Sequence, residues 1–212
     1  MADRGRAALA VVLAVVAIAV SGCGGSTDDG LAVSGVQTGD NHGYHGTFFE
    51  DPYVVPDLSL PDTSGKDFSV AASPAPLKIV FFGYSNCPDI CQIVMSTIAG
   101  AVTRLDSAQK KDVQVVFVTT DPARDTGPVL REYLDRFNPD FVGVTGRLSR
   151  IIELGKPLGV YVDKGQKLPS GGYEVDHSTH VYGIVGNQAR VAWGQGTSPA
   201  QMSADIIRLL KS

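Results

Sequence analysis

The strongest constraint on the fold is an alternation between apolar runs and segments with helical spacing. Ile79–Tyr84 is almost entirely apolar, as a strand buried on both faces would be, and Val113–Val118 has the same character. The first run is followed by apolar residues at helical spacing: Ile90, Val94, Ile98, Ala101 and Leu105. Buried strands that alternate with helices predict an α/β fold with a largely parallel sheet covered on both faces.

Weaker patterns complete the predicted order of elements. Asp57–Leu60 and Lys66–Val70 alternate polar and apolar residues around a Gly-containing turn, which predicts an N-terminal β-hairpin. His180–Val185 and Ala189–Trp193 predict a closing hairpin, and Ser198–Pro199 is typical of the start of a last helix. Between the hairpins we predict a helix over Leu130–Phe137 that begins near Thr126, a strand over Phe141–Val144 and a short helix around Leu148–Ile152.

The first 22 residues predict a secretory signal of the lipoprotein type. Arg4 and Arg6 precede the apolar stretch Ala7–Val20, which is shorter than the roughly 20 residues that span a bilayer. Val20-Ser21-Gly22-Cys23 then resembles a bacterial lipobox, which implies cleavage before Cys23 and attachment of lipid to its sulfur. Ordinary cleavage near Gly22 and an uncleaved anchor are the alternatives.

Three regions follow from this pattern: a signal peptide over residues 1–22, lipidated Cys23 with a flexible tether over 23–55, and one folded domain over 56–212. The tether is predicted from its Gly, Ser, Asp and Asn content and its lack of apolar periodicity. We interpret His42 and His45 as solvated linker residues, although two histidines on a flexible segment can bind metal weakly. A net charge of −4 and the absence of a basic run argue against a nucleic-acid partner.

Cys87 and Cys91 are the two cysteines left for the domain once lipid occupies Cys23. A disulfide between them would close a very small loop and stabilise the fold little. Cys87 directly follows the buried strand, and Pro88 suits a first helical position, so the helix N-terminus would favour a thiolate. Cys91 lies four residues after Cys87, which in a helix places it on nearly the same face. We therefore expect both sulfurs to face one exposed site. A cysteine pair at a strand–helix junction favours a thioredoxin-like fold, a central mixed sheet flanked by helices.

The spacing of the pair favours a metal site. The familiar dithiol redox motif has two residues between its cysteines, whereas three residues separate this pair and place the thiolates one helical turn apart. Thiolates favour Cu(I), zinc or iron–sulfur clusters, but two cysteines cannot hold a cluster and structural zinc needs two more ligands. An imidazole added to two thiolates suits copper. His177, predicted on a loop, is freer to reach the sulfurs than His180, predicted to begin a strand; a site without either histidine stays open at this point.

Three segments together resemble the Sco/SenC family, thioredoxin-like copper proteins used in assembling cytochrome c oxidase. They are FFGYSNCPDIC, TTDPARDTGPVLREYL and YEVDHSTHVYGI, and the resemblance runs from about Pro56 to the C-terminus. It implies that Cys87, Cys91 and His177 are copper ligands. The chain departs from the family at Gln92, where proline often follows the second cysteine. It also lacks the proline that thioredoxins usually carry at the position before His180.

The resemblance implies an extracytoplasmic copper metallochaperone, held on the cell membrane by its lipid, that helps to assemble the dinuclear copper site of cytochrome c oxidase. The implied metal is Cu(I) or Cu(II). The implied partners are subunit II of the oxidase and a further copper chaperone or thiol–disulfide protein. The main prediction is metal delivery and not enzymatic turnover.

The leading alternative is a thiol–disulfide reductase that maintains the cysteines of the oxidase copper site. Cys87 would then attack as the catalytic thiolate and Cys91 would resolve the mixed disulfide. A peroxiredoxin-like peroxidase and a copper-responsive sensor are further alternatives. We predict that Asp121, Arg124 and Asp125 fix a loop by hydrogen bonds and cap a helix, and do not contact the metal.

Overall fold

In the computed structural model the chain divides into two units, Met1–Leu31 and Ala32–Ser212. The structure describes residues 41–167, 173–177 and 179–212, and within 163–167 and 173–177 it describes the backbone alone. The predicted signal peptide, the lipid attachment at Cys23 and most of the predicted tether lie outside the described residues. No helix within the described ranges has the length and apolar character needed to cross a membrane.

The described residues form ten strands, of which six make one central sheet. Their bounds are β1 Thr47–Val54, β2 Leu60–Pro61, β3 Asp67–Phe68, β4 Leu77–Gly83, β5 Val113–Thr119, β6 Val142–Val144, β7 Val162–Lys167, β8 Tyr173–His177, β9 Val181–Val185 and β10 Gln188–Trp193. The central order is β1-β10-β9-β4-β5-β6, with β4, β5 and β6 parallel and the remaining neighbours antiparallel. Two small antiparallel pairs, β2–β3 and β7–β8, lie outside it. The predicted mixed sheet and N-terminal hairpin are confirmed.

The helices pack on both faces of this sheet. They are α1 Ile90–Thr103, α2 Ser107–Asp112, α3 Gly127–Asp135, α4 Leu148–Gly155 with a 3₁₀ turn over Lys156–Leu158, and α5 Pro199–Leu209. Alternate residues of β4 enter different cores because successive side chains of a strand point to opposite faces. Phe81 packs with residues of α1, α3 and α5, whereas Phe82 packs with residues of α4. The predicted α/β, thioredoxin-like arrangement is confirmed.

The folded part begins upstream of the predicted boundary at residue 56. Strand β1 pairs with β10 at the edge of the central sheet, and Phe49 is buried in the core. The register of this pairing shifts between Phe48 and Tyr53, around Pro52. Proline is tolerated in edge strands and at bulges, where a missing amide costs no ladder hydrogen bond. The irregular strand hides the alternation that the sequence prediction relied on, and the predicted tether over 23–55 therefore extends too far.

A buried carboxylate ties the segment before β1 to the rest of the domain. Asp205 of α5 is 1% exposed. Its carboxylate accepts hydrogen bonds from the backbone amides of His45, at 3.0 Å, and Gly46, at 2.9 Å, and from Nε1 of Trp193, at 2.8 Å. The backbone at His45 is thus held by the fold and is not part of a free linker.

Replacing Asp205 by alanine is expected to lower the free energy of unfolding by about 2–4 kcal/mol, because three donors, two of them buried, lose their acceptor. Chemical denaturation followed by the fluorescence of Trp193 measures this change. Asp135→Ala is the matched control, since Asp135 is exposed and pairs with Arg131 at the surface; we expect a change of at most about 0.5 kcal/mol there. Equal effects of the two substitutions would contradict a structural role for Asp205.

Candidate functional site

The segment that carries Cys87, residues 84–89 and called the cysteine loop below, begins where β4 ends. Gly83 is the last residue of β4, and the backbone amide of Cys87 donates to the carbonyl oxygen of Tyr84 at 3.2 Å, which closes a turn. Helix α1 begins only at Ile90, with Asp89 as its N-cap. The prediction that Pro88 opens the helix is therefore wrong, since the turn takes up the intervening residues. Cys87 lies before the helix, and Cys91 lies in its first turn.

The two sulfurs lie together, as predicted, but they are buried. Cys87 is 5% exposed and Cys91 is fully buried, and the two are not joined by a disulfide. The backbone amide of Cys91 donates to Sγ of Cys87 at 3.4 Å. The predicted exposed position is wrong because aromatic residues from neighbouring strands, Phe81 and Phe117, share one core with the pair.

The reduced pair is electrostatically asymmetric. A hydrogen bond from the Cys91 side chain to Cys87 raises the pKa of Cys91, burial raises it further, and the backbone amide of Tyr84 opposes both effects. The Cys91 thiol therefore loses its proton less readily than an ordinary cysteine and donates it in a hydrogen bond to the Cys87 sulfur. The Cys87 sulfur accepts from both the amide and the thiol of Cys91, so it is the better placed of the two to carry negative charge.

Gly83, the last residue of β4, allows the strand to pack closely against Cys91. A Cβ atom at this position would lie 2.8 Å from Cε1 of Phe81, 3.1 Å from Cε2 of Phe117 and 3.2 Å from Sγ of Cys91. Glycine is required here by space, because any side chain would push the sulfur or the rings from their places.

Replacing Gly83 by alanine is expected to lower the free energy of unfolding by about 1–3 kcal/mol through overpacking. The measurement is chemical denaturation of the reduced protein. Gly194→Ala is a suitable control because a Cβ there would meet nothing within 4 Å. A Gly83→Ala variant as stable as the Gly194→Ala variant would show that the core beside Cys91 yields more easily than its geometry indicates.

Asp125 fastens the cysteine loop to the end of β5. Its side chain is fully buried and accepts hydrogen bonds from the backbone amide of Ser85, at 3.0 Å, and from the hydroxyls of Ser85 and Thr119, the latter at 2.6 Å. The predicted loop-fixing role of Asp125 is confirmed. Sequence reasoning missed Ser85 and Thr119; the only available signal was the place of Ser85 inside the cysteine segment.

Asp121 and Arg124 form a second contact beside the cysteine loop. The guanidinium of Arg124 pairs with the buried carboxylate of Asp121 and lies over the Tyr84 ring, with Cζ 5.7 Å from the ring centroid. The N-cap of α3 is Thr126, so the predicted capping role of this trio is wrong. The trio instead ties the loop after β5 to the turn that carries Cys87.

For His177 the structure describes the position of the backbone. It is the last residue of β8 and pairs with Val162 of β7, so the predicted loop is a strand end. Val162 packs against the core cluster that contains both cysteines. No clear apolar pattern indicated the β7–β8 hairpin, because its strands are rich in Lys, Gly, Asp and Glu.

His180, the other candidate, lies just before β9 and is half-buried. Its ring centroid is 6.5 Å from that of Tyr182, and burial lowers the pKa of its imidazole. Among the described residues, no group of three or more His, Cys, Asp or Glu side chains is arranged to hold a metal ion. Cys87 and Cys91 are the two predicted ligands whose side chains the structure describes, and they lie together.

Comparison with known proteins relates the whole domain to one family. Protein SCO2 of Saccharomyces cerevisiae mitochondria is 35% identical over 126 residues, which is 59% of this chain and 42% of that protein. The chain spans about half the length of the curated relatives it matches. The crystal structure of yeast Sco1 with copper bound is 31% identical, with a TM-score of 0.69 and coverage of 76% of this chain and 90% of that one.

A third match is more distant. BsSco, described as a member of the Sco family of cytochrome c oxidase assembly proteins in which a disulfide switch was identified, is 20% identical with a TM-score of 0.62. The match covers 77% of this chain and 98% of the BsSco chain. At this level of identity it supports the fold alone. The pattern of the SCO1/SenC family itself matches residues 49–211, which includes β4, the cysteine loop and β8. The chain therefore belongs to the SCO1/SenC family.

Proposed function

We propose that this chain binds copper through Cys87, Cys91 and His177 and delivers it, from the extracytoplasmic face of the cell membrane, to the dinuclear site in subunit II of cytochrome c oxidase. A lipid on Cys23 would hold it there. The observation that carries the proposal is the pair of buried thiols in hydrogen-bond contact inside the domain.

The thiol pair fits copper chemically. Thiolates are soft ligands, which favour Cu(I), and an added imidazole extends the set to Cu(II). A metal held by two thiolates displaces the protons of both thiols, so loading is linked to proton release. The two neighbouring sulfurs would then hold the ion between them.

The backbone of β8 supports His177 as the third ligand. Opposed residues of an antiparallel pair have Cα atoms about 4.5–5.5 Å apart, and His177 is opposed to Val162. Val162 packs against both core clusters, one of which contains Cys87 and Cys91, so the backbone at the end of β8 pairs with a strand that borders this core.

Similarity to characterised relatives supports copper and the oxidase as the destination. The matching yeast Sco1 structure contains copper, and BsSco is described as belonging to a family of oxidase assembly proteins. Delivery would proceed by ligand exchange, in which thiolates of the acceptor replace Cys87, Cys91 and His177 one at a time.

An anaerobic copper titration of the reduced full chain tests the proposal. We expect one copper per chain, with sulfur-to-Cu(II) charge-transfer absorption and a spin-resonance spectrum that shows a nitrogen ligand. The matched control is the same protein with both thiols alkylated, which should lose this binding. Copper binding that survives alkylation would refute the thiol site.

The reductase alternative is favoured by one feature, the asymmetry of the pair. The Cys87 sulfur accepts two hydrogen bonds from Cys91, as an attacking thiolate would require, while Cys91 keeps its proton. Burial of both sulfurs works against rapid attack on a protein disulfide, because access is one determinant of exchange rate. Metal delivery therefore remains the main proposal.

A further inference from the structure

Both polar groups of Ser85 are bound to one buried carboxylate. Ser85 is the second residue of the cysteine loop, and its backbone amide donates to Oδ2 of Asp125 at 3.0 Å while its hydroxyl donates to Oδ1. Asp125 belongs to the segment between β5 and α3, so these two bonds join the cysteine loop to a different part of the chain. Displacement of Ser85 would break a hydrogen bond to a fully buried carboxylate, which is costly.

The carboxylate that holds Ser85 is itself held in place. Oδ2 of Asp125 also accepts from the hydroxyl of Thr119, the last residue of β5, at 2.6 Å. The backbone amide of Asp125 donates to the carbonyl oxygen of Asp121 at 2.9 Å, and its own carbonyl oxygen accepts from the hydroxyl of Thr145 at 3.0 Å. Thr145 directly follows β6, the parallel neighbour of β5. The ends of two neighbouring strands therefore fix the point to which the cysteine loop is bound.

Ser85 also lies within the turn that places Cys87. The backbone amide of Cys87 donates to the carbonyl oxygen of Tyr84 at 3.2 Å, so the four residues from Tyr84 onward form a turn with Ser85 at its second position. The backbone angles of the two central residues define the shape of such a turn and thus the place of its fourth residue. Cys91, in contrast, is placed by helix α1, in which it is fully buried. The bonds between Ser85 and Asp125 therefore act on one sulfur of the pair and not on the other.

We propose that Ser85 is a positioning residue, whose hydrogen bonds to Asp125 hold the Cys87 sulfur at the separation from Cys91 that one copper ion needs. The inference rests on the proposed copper site. Two ligands that are held at the right separation before the metal arrives avoid the entropic cost of ordering a loop on binding. The Ser85 hydroxyl contributes through geometry, because its acceptor is the carboxylate and not a sulfur.

The first measurement is the Cu(I) affinity of Ser85→Ala in the reduced full chain, by anaerobic competition with a chromophoric chelator. Alanine keeps the backbone amide but removes the hydroxyl bond, so the turn gains freedom. The affinity should fall about 10- to 100-fold, as for other groups that support metal ligands. Ser85→Thr keeps a hydroxyl and should recover most of the lost affinity, whereas a hydroxyl that only stabilised the fold would leave the affinity of Ser85→Ala unchanged.

The second measurement needs no metal. The equilibrium of Cys87 and Cys91 with glutathione, in which one oxidised glutathione becomes two reduced molecules as the disulfide forms, depends on the effective concentration of one thiol at the other. The two side chains are in hydrogen-bond contact in the wild type. Loosening the turn should lower that effective concentration, so the equilibrium constant for disulfide formation should fall in Ser85→Ala and return with Ser85→Thr.

Two controls separate this effect from the loss of any hydroxyl. Ser69→Ala removes a serine hydroxyl that donates to the carboxylate of Asp57 at 2.7 Å, in the segment before β4 and not after it. Tyr182→Phe removes a buried hydroxyl bond to the carbonyl oxygen of Leu158, 2.8 Å long, in the core on the opposite face of the sheet, and should destabilise the domain. Both variants should keep the wild-type copper affinity and the wild-type glutathione equilibrium.

The outcomes separate this inference from the copper site. Wild-type affinity together with an unchanged glutathione equilibrium in Ser85→Ala would overturn the positioning role, whatever the stability of the variant. Equal losses of affinity in Ser85→Ala and Tyr182→Phe would also overturn it, since affinity would then follow the stability of the whole domain. If the wild type itself bound no copper, the copper site would be refuted, and the metal-free equilibrium would decide alone whether Ser85 positions Cys87.

Discussion

Replacing Cys91 by serine is expected to lower the Cu(I) affinity of the reduced chain roughly a thousandfold or more. Serine has nearly the same shape, but its hydroxyl is a hard ligand that stays protonated at neutral pH, so one of two soft donors is lost. The affinity is measured by anaerobic competition with a chromophoric Cu(I) chelator. A cooperative unfolding transition shows that the variant remains folded.

Met95→Leu is the matched control for this experiment. Met95 lies one helical turn beyond Cys91 in α1, is fully buried, and also carries sulfur. Exchange of methionine for leucine conserves volume, so the fold should tolerate it. An affinity that falls with Met95→Leu and survives Cys91→Ser would mean that a thioether, and not this thiol, holds the metal.

Replacing His177 by alanine is expected to reduce the affinity for Cu(II) roughly a hundredfold. Cu(II) favours imidazole nitrogen, and the two thiolates alone suit Cu(I) better. Dithiol–disulfide exchange by Cys87 and Cys91 should continue at a rate close to the wild type. Copper titration and a thiol-exchange assay on the same preparation therefore separate metal delivery from reductase chemistry.

His180→Ala is the natural comparison, because His180 lies three residues away and was the competing candidate. We expect it to keep Cu(II) binding close to the wild-type value. The reverse pattern, with binding lost in His180→Ala and kept in His177→Ala, would assign the third ligand to the residue before β9.

The strands and helices around the cysteines were predictable because their signals are local. The run that became β4 is buried along its whole length, and the apolar spacing that follows became the buried face of α1. Ser198 caps α5 and Gln201 completes its capping box, as the start signal in the sequence indicated. In each case the pattern reflects one strand or helix against one core.

The elements that escaped prediction have no regular apolar pattern of their own in the sequence. Strand β1 exists because β10 pairs with it and Asp205 of α5 binds the amides before it, and those residues lie about 140 or more positions along the chain. The β7–β8 hairpin has polar strands that pair with each other outside the central sheet. A short stretch of sequence therefore lacks the apolar alternation from which these strands could be predicted.

The sequence by itself determined that Cys87 follows a buried strand and that Cys91 lies at the start of the next helix, because chain connectivity fixes their order. Tertiary packing alone decided that both sulfurs are buried and that the pKa of the Cys91 thiol is raised. It also decided that the Tyr133 hydroxyl, which has no hydrogen-bond partner within the described part of the chain, lies in the same core. The physical reason is that burial and proton affinity depend on which side chains of other strands and helices surround a group. Phe117 and Tyr133 reach the cysteines only after β5 and α3 have packed beside β4 and α1.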